Sequence, residues 1–75
     1  MAERMKIEQI RQSYPDQYVG LKNPVYEYGV LESAEVAYTE NNAMILFWRQ
    51  IMEPDILIWH TGVNPPMVTN IMFLF

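Results

Sequence analysis

His60 is the only histidine of the 75-residue chain and its first candidate for catalysis. An imidazole that acts as a general base needs a nucleophile within hydrogen-bond reach and a carboxylate that orients its ring. Hydroxyl groups are available at Ser13, Ser33 and the threonines, but none of them lies in a motif typical of an activated nucleophile. We therefore interpret His60 as a structural or surface histidine and predict no catalytic residue and no enzyme activity.

Two pairs of carboxylates, Glu32 with Glu35 and Glu53 with Asp55, have the residue types for acid–base chemistry or for a hard cation. Neither pair lies in an Asp-rich loop of calcium-binding spacing, and magnesium sites need more support than two carboxylates. Because the chain has no cysteine, disulfides and the common zinc ligand sets are excluded. The three glycines are isolated, so no phosphate-binding loop is present. We predict no metal and no cofactor.

The charge balance is acidic, with nine Asp and Glu against five Lys and Arg and a net charge of -4. Without a basic cluster the chain lacks the charge pattern of a nucleic-acid-binding protein. Its longest apolar run, residues 43–48, is far too short to span a membrane, and Glu3, Arg4 and Lys6 occupy the place of an export signal. We predict a cytoplasmic protein with no nucleic-acid or membrane partner, a location that the absence of cysteine also fits.

The elements that position these residues are predicted from hydrophobic spacing and from breakers. Ile7, Ile10 and Tyr14 form a narrow helical stripe, so residues 3–13 are predicted as a helix that ends before Pro15. Such a short helix is marginal alone and needs to dock on the rest of the domain.

Two segments alternate apolar with polar residues, as a half-buried strand does, and we predict strands at residues 17–22 and 32–38. Asn23 and Pro24 break the first pattern, so the two strands are predicted to form a hairpin with a long, irregular loop. Gly20 is predicted to mark a close approach by another element.

A second helix is predicted between an N-cap at Asn41 or Asn42 and a stop at Pro54. Its apolar residues recur at helical spacing, a stripe that usually faces a core. We predict that this stripe covers the sheet, through Met44, Phe47, Trp48 and Ile51.

Residues 55–61 contain four consecutive apolar residues between breakers, which predicts a short strand buried on both faces. The strand–helix–strand succession indicates a crossover connection, with the last strand parallel to the second. We predict an α+β domain over residues 1–62 with element order αββαβ. Its three-stranded sheet has order 2-1-3, is covered by helices, and leaves one edge of the last strand open.

The remaining residues, 63–75, are predicted as an extended tail that begins with an Asn–Pro–Pro connector. Its last five residues are all apolar and must be buried somewhere: Ile71, Met72, Phe73, Leu74 and Phe75. We predict that they add a strand beside residues 55–61 of a second subunit and so build a homodimer. A strand that packs in cis and a segment that is not native to the protein are the open alternatives.

Tyrosines suit protein interfaces because their rings are apolar and their tips are polar, and two of the five, Tyr26 and Tyr28, are candidate interface residues. A 75-residue monomer without disulfides or metal is marginally stable, which favours association with a partner. We predict a non-catalytic protein-interaction or self-association domain, with another protein as a possible partner. The alternative is a small-ligand-binding domain that uses a tyrosine-rich surface.

Several short motifs resemble those of a small, uncharacterised prokaryotic domain family with a Tyr-Pro-x-x-aromatic-Val segment and a closing apolar strand. The matching residues are Tyr14 and Pro15 with Tyr18 and Val19, Asn23 and Pro24, Glu35, Val36 and Ala37, and His60, Thr61 and Gly62. The chain departs from the family at Tyr18, where Trp is usual, at Ala34, where Gly is usual, and at His60, which replaces an aromatic residue. The resemblance covers residues 5–62, implies the same order of elements, and implies no catalytic residues.

Overall fold

The computed structural model describes residues 3–64 and residue 66. The described chain forms two helices and one four-stranded antiparallel sheet, which confirms the α+β class. The elements are β1 (Arg4–Lys6), α1 (Ile7–Ser13), β2 (Tyr18–Glu27), β3 (Val30–Glu40), α2 (Ala43–Met52) and β4 (Leu57–His60). The strand order is β1-β3-β2-β4.

The predicted three-stranded sheet is therefore incomplete. Its three strands are adjacent as β3, β2 and β4, but β1 adds a fourth strand at the outer edge of β3. The first helix is correspondingly shorter than predicted, because residues 4–6 pair with β3 and Met5 lies opposite Ala34. Met5 packs against the core between two exposed neighbours, a strand alternation that is too short to recognise in the sequence.

The hairpin of β2 and β3 is tight, which corrects the prediction of a long loop. Its turn consists of Tyr28 and Gly29, whose φ angles of 52° and 79° are those of the type I′ turns that join twisted strands. The predicted break at Asn23 and Pro24 is a β-bulge inside β2, with Asn23 at φ 51°. Proline is tolerated there because a bulge leaves one residue out of the hydrogen-bonded ladder.

The sheet has a core on each face. Ile7 and Ile10 of α1 pack on one face, as their spacing predicted, together with Leu57 and Trp59 of β4. On the opposite face Leu46 of α2 packs with Ile56, which precedes β4, with Ile58 of β4, and with Tyr18 and Tyr38 of β2 and β3. The prediction that the closing strand is buried on both faces is confirmed, because its consecutive side chains alternate between the two cores.

Helix α2 is rotated relative to the prediction. It begins at the predicted N-cap Asn42, whose side chain accepts a hydrogen bond from the Met44 backbone N–H at 2.9 Å. Its buried residues are Leu46 and Gln50. The predicted core stripe is exposed instead, at Met44, Phe47, Trp48 and Ile51.

The physical reason for this rotation is the shape and polarity of the sheet surface below α2. Gly20 of β2 leaves room there for the Leu46 side chain, so the predicted close approach is confirmed. Gln50 donates a hydrogen bond from Nε2 to the Ile56 carbonyl at 2.7 Å, which compensates the burial of its amide. A face that carries one leucine and one glutamine therefore fits the sheet better than the wider apolar face does.

Candidate functional site

His60 lies at the end of β4 in contacts that orient its ring. Its Nδ1 accepts the Gly62 backbone N–H at 3.1 Å, and its ring meets Tyr18 edge-on with centroids 4.6 Å apart. Its Nε2 lies 3.8 Å from Oδ1 of the exposed Asp16.

A Ser–His arrangement with Ser33 is excluded by the strand register. Tyr18 pairs with His60 on one side and with Glu40 on the other, and Ser33 lies seven residues from Glu40 along β3. Seven residues of strand span roughly 20 Å. The Ser33 hydroxyl instead accepts a hydrogen bond from Arg4 Nη1 at 3.1 Å.

Of the carboxylates paired in the sequence, Glu35 and Glu53 are bound by other side chains. Glu35 accepts a hydrogen bond from Asn23 Nδ2 at 2.8 Å and lies 3.6 Å from Arg4. Glu53 is bound to β2 and β3, whereas Asp55 is exposed beyond the end of α2. Within residues 3–64 and 66, no three metal-ligating side chains are grouped so that they could hold a metal ion.

The strongest polar arrangement is what we call the Glu53 cluster, formed by Lys22, Tyr38, Arg49 and Glu53. Lys22 Nζ donates to Glu53 Oε1 at 2.6 Å, and the Tyr38 hydroxyl donates to Oε2 at 2.5 Å. The Arg49 guanidinium lies 4.3 Å from the centroid of the Tyr38 ring, a cation–π contact. The cluster thereby fixes the C-terminal end of α2 to β2 and β3.

The electrostatics of the Glu53 cluster do not suit catalysis at neutral pH. The hydrogen bonds from Lys22 and Tyr38 lower the pKa of Glu53 below its ordinary value of 4.5. The hydrogen bond to Glu53 raises the pKa of Lys22 above 10.5 and that of Tyr38 above 10.0. Each shift stabilises the form already present at pH 7, so the carboxylate becomes a weaker base and the amine and phenol become less available as nucleophiles.

The most unusual surface of the described chain is the outer face of α2. It consists of six large apolar residues with exposed fractions of 59%, 42%, 37%, 65%, 54% and 81%: Met44, Ile45, Phe47, Trp48, Ile51 and Met52. At 100° per residue these positions occupy an arc of about 160° on the helix, opposite to Leu46 and Gln50. A contiguous apolar surface of this kind makes the outer face of α2 the candidate interaction site of the described residues.

The two predicted interface tyrosines, Tyr26 and Tyr28, lie at the exposed tip of the β2–β3 hairpin. Val25 and Val30 are also exposed there, so the tip is a second, smaller apolar patch. The other predicted interface residues, Ile71, Met72, Phe73, Leu74 and Phe75, lie outside the described residues.

The sequence does carry a signal for the orientation of α2, although its apolar stripe obscures it. Residues Ala43, Leu46, Gln50 and Glu53 recur at intervals of three and four, the spacing of one helix face. That face becomes recognisable only with its partners Gly20, Lys22 and Tyr38, which lie on two strands and meet α2 through the sheet.

The fold and this surface together define a small α+β domain with an exposed apolar helix. Comparisons with protein-family models, with curated proteins and with solved structures find no match to the chain. The predicted resemblance to a small prokaryotic domain family therefore stays a prediction. Within the described residues, no helix is long and apolar enough to cross a membrane.

Proposed function

We propose that this domain has no chemistry of its own and acts through protein contacts, primarily by self-association. The observation that carries this proposal is the outer face of α2, where six large apolar side chains are exposed to solvent. Exposed apolar surface costs free energy in water, and a partner that covers it recovers that free energy. For a chain of 75 residues without cysteine, this gain is also a source of stability.

Two features of the described residues favour binding over catalysis. The pKa of Glu53 is lowered and the pKa values of Lys22 and Tyr38 are raised, so these groups are stabilised in their ordinary charge states. The Nδ1 atom of His60 accepts the Gly62 backbone N–H and is therefore already occupied by a local hydrogen bond. These contacts favour structural roles for the most reactive side chains.

The alternative function is small-ligand binding by a tyrosine-rich surface. Tyr14 and Tyr38 line one shallow groove along β3, which is the observation in its favour. Against it, the Tyr38 hydroxyl is already bound to Glu53, and Tyr26 and Tyr28 lie at the opposite end of β3. The five tyrosines therefore do not form one surface, and we place this function second.

The mass of the full chain as a function of its concentration tests the proposed function. Sedimentation equilibrium is expected to show a reversible change from monomer to dimer between low micromolar and submillimolar concentration. A strict monomer throughout this range would contradict self-association. A thermal-shift screen against metabolites on the same sample tests the alternative, since reproducible stabilisation by micromolar ligand would favour ligand binding.

The predicted association through residues 71–75 is an alternative dimer contact to the outer face of α2. A location in the cytoplasm and the absence of nucleic-acid and membrane partners stay predictions. An additional protein partner is compatible with the same surface. If such a partner bound the outer face of α2, it would compete with formation of the dimer.

A further inference from the structure

We infer that the outer face of α2 binds the same face of a second copy of this chain, helix against helix, in a two-fold symmetric contact. The inference rests on the proposed self-association and names the surface and the partner that produce it. Its support comes from the area, the spacing, the charge and the position of this face.

The area of the outer face of α2 is that of a stable dimer interface. With about 200 Å² for each fully exposed large apolar residue, the exposed fractions of the six side chains amount to on the order of 700 Å² per copy. Stable protein interfaces bury about 800 Å² per partner, with a lower limit near 600 Å². A contact that covered this whole face in each copy would therefore fall within the range of stable interfaces.

The spacing of the side chains suits the packing of one helix on another. Met44, Trp48 and Met52 form one row at intervals of four, and Phe47 and Ile51 form a second row beside it. Rows at this interval are the ridges that interlock in the commonest class of helix packing, with axes crossing at about −50°. Trp48 lies at the centre of the face, where a two-fold axis would place it beside the Trp48 of the second copy.

The charge of the outer face of α2 also permits a symmetric contact. In such a contact residues near the axis meet their own copies, so a central charge would repel its equivalent. None of the six side chains is charged, and the neighbouring Arg49 is directed over the Tyr38 ring. Glu53, beyond the helix end, is bound to Lys22.

The path of the described chain argues against its own residues 67–75 as the cover of α2. After β4, Asn64 is bound by Arg11 of α1 at 3.0 Å, and Pro66 shares a groove with Ile7 and Leu31. This groove borders α1, which packs on the face of the sheet opposite to α2. Residues 67–75 have a maximum span of about 30 Å, close to the 27 Å breadth of the domain. To cover α2 of their own chain they would have to pass around the sheet almost fully extended.

Two full-length variants test this contact by placing a charge on the outer face of α2. Trp48→Glu is expected to raise the dimer dissociation constant at least about 30-fold, the effect of losing a central interface residue, and Met44→Glu, at one end of the face, about 10-fold. Met44→Glu guards against misfolding, because an acidic residue in the first turn of a helix is favourable. Circular dichroism confirms that each variant is folded, and sedimentation equilibrium measures the constant.

Two matched variants place the same charge elsewhere and serve as controls. Tyr28→Glu changes the hairpin tip, and Phe73→Glu changes the apolar segment outside the described residues. Both are expected to dimerise like the unchanged chain. If Tyr28→Glu or Phe73→Glu abolishes the dimer, the contact is made by the hairpin or includes residues 71–75, and the helix-to-helix contact is wrong.

The behaviour of the unchanged chain distinguishes the helix-to-helix contact from self-association in general. If it dimerises while Trp48→Glu and Met44→Glu dimerise equally well, the inference fails and the proposed self-association stands. If the unchanged chain is monomeric at every concentration, self-association itself fails.

Discussion

Leu46 of α2 lies directly above Gly20 of β2: a Cβ atom on Gly20 would lie 3.4 Å from Leu46 Cδ2 and 3.2 Å from Ile56 Cγ2. Leu46 and Trp48 are two positions apart on α2, so their side chains point in directions about 200° apart. The contact of Leu46 with Gly20 therefore helps to fix the rotation of α2. When Leu46 faces the sheet, Trp48 must face away from it. The absence of a side chain at Gly20 is thus one of the features that determine which face of α2 is exposed.

Replacement of Gly20 by alanine is expected to destabilise the domain by about 1 kcal/mol. The added methyl group crowds Ile56 and Leu46, and such overpacking typically costs more than a strand gains when it loses glycine. Urea denaturation of Gly20→Ala measures the change. An unchanged or higher midpoint would contradict the contact between α2 and β2.

A matched pair of truncations distinguishes the two faces of α2. Leu46→Ala is expected to destabilise the monomer by about 2–5 kcal/mol, because it leaves a cavity in the core. Trp48→Ala is expected to change the monomer by less than about 1 kcal/mol, because the indole is exposed. The apolar stripe in the sequence predicted the reverse for Trp48. Denaturation at a concentration below the dimer range measures both, and equal costs would contradict the rotation of α2.

The Glu53 cluster predicts a specific acid dependence of stability. Because the pKa of Glu53 is lowered in the folded state, its contribution is fully present above the ordinary value of 4.5 and is lost as the pH falls through the lowered pKa. Glu53→Gln is expected to be less stable than the unchanged chain at pH 7. Its stability is expected to fall less steeply toward acid pH.

The control for this change is Glu27→Gln, which removes the same charge at the hairpin, away from α2. Melting temperatures of the unchanged chain and of both variants, measured between pH 3 and pH 7, show whether the Glu53 charge sets the acid dependence of stability. Parallel curves for the unchanged chain and Glu53→Gln would show that Glu53 does not stabilise the fold through its charge.

The hairpin turn offers a stabilising substitution. Tyr28 has a φ angle of 52°, a left-handed conformation that is costly for most side chains but that asparagine adopts readily. Since the Tyr28 side chain is fully exposed, Tyr28→Asn removes little packing and is expected to stabilise the domain by about 1 kcal/mol. A decrease in the melting temperature would mean that the tyrosine makes a stabilising contact.

The sequence predicted those elements whose pattern is local and complete. The sequence predicted the burial of Ile7 and Ile10 on α1 and of the four apolar residues 56–59. Each of these segments has a single apolar pattern, so only one orientation fits it. Strand β1 was missed because three residues are too few to show a period. The tight hairpin was missed because Tyr28 replaces the Asn or Asp that usually marks such a turn.

The rotation of α2 could not be predicted from its own residues. Its apolar stripe is larger than its buried face, so periodicity alone favours the wrong side. Gly20, Lys22 and Tyr38 decide the orientation, and they belong to strands that meet α2 only in the folded chain. The candidate site was missed for the same reason, since an apolar stripe is typical of a core face.

Acrylamide quenching of tryptophan fluorescence in the unchanged chain measures whether the outer face of α2 becomes covered as the chain associates. The chain has two tryptophans, of which Trp59 is fully buried and Trp48 is exposed. At low concentration we predict one quenchable and one protected component, and Trp48→Phe is expected to retain only the protected one. As the concentration rises, the quenchable component should disappear over the same range in which the mass doubles. A mass that doubles while Trp48 remains as quenchable as in the monomer would contradict association through the outer face of α2.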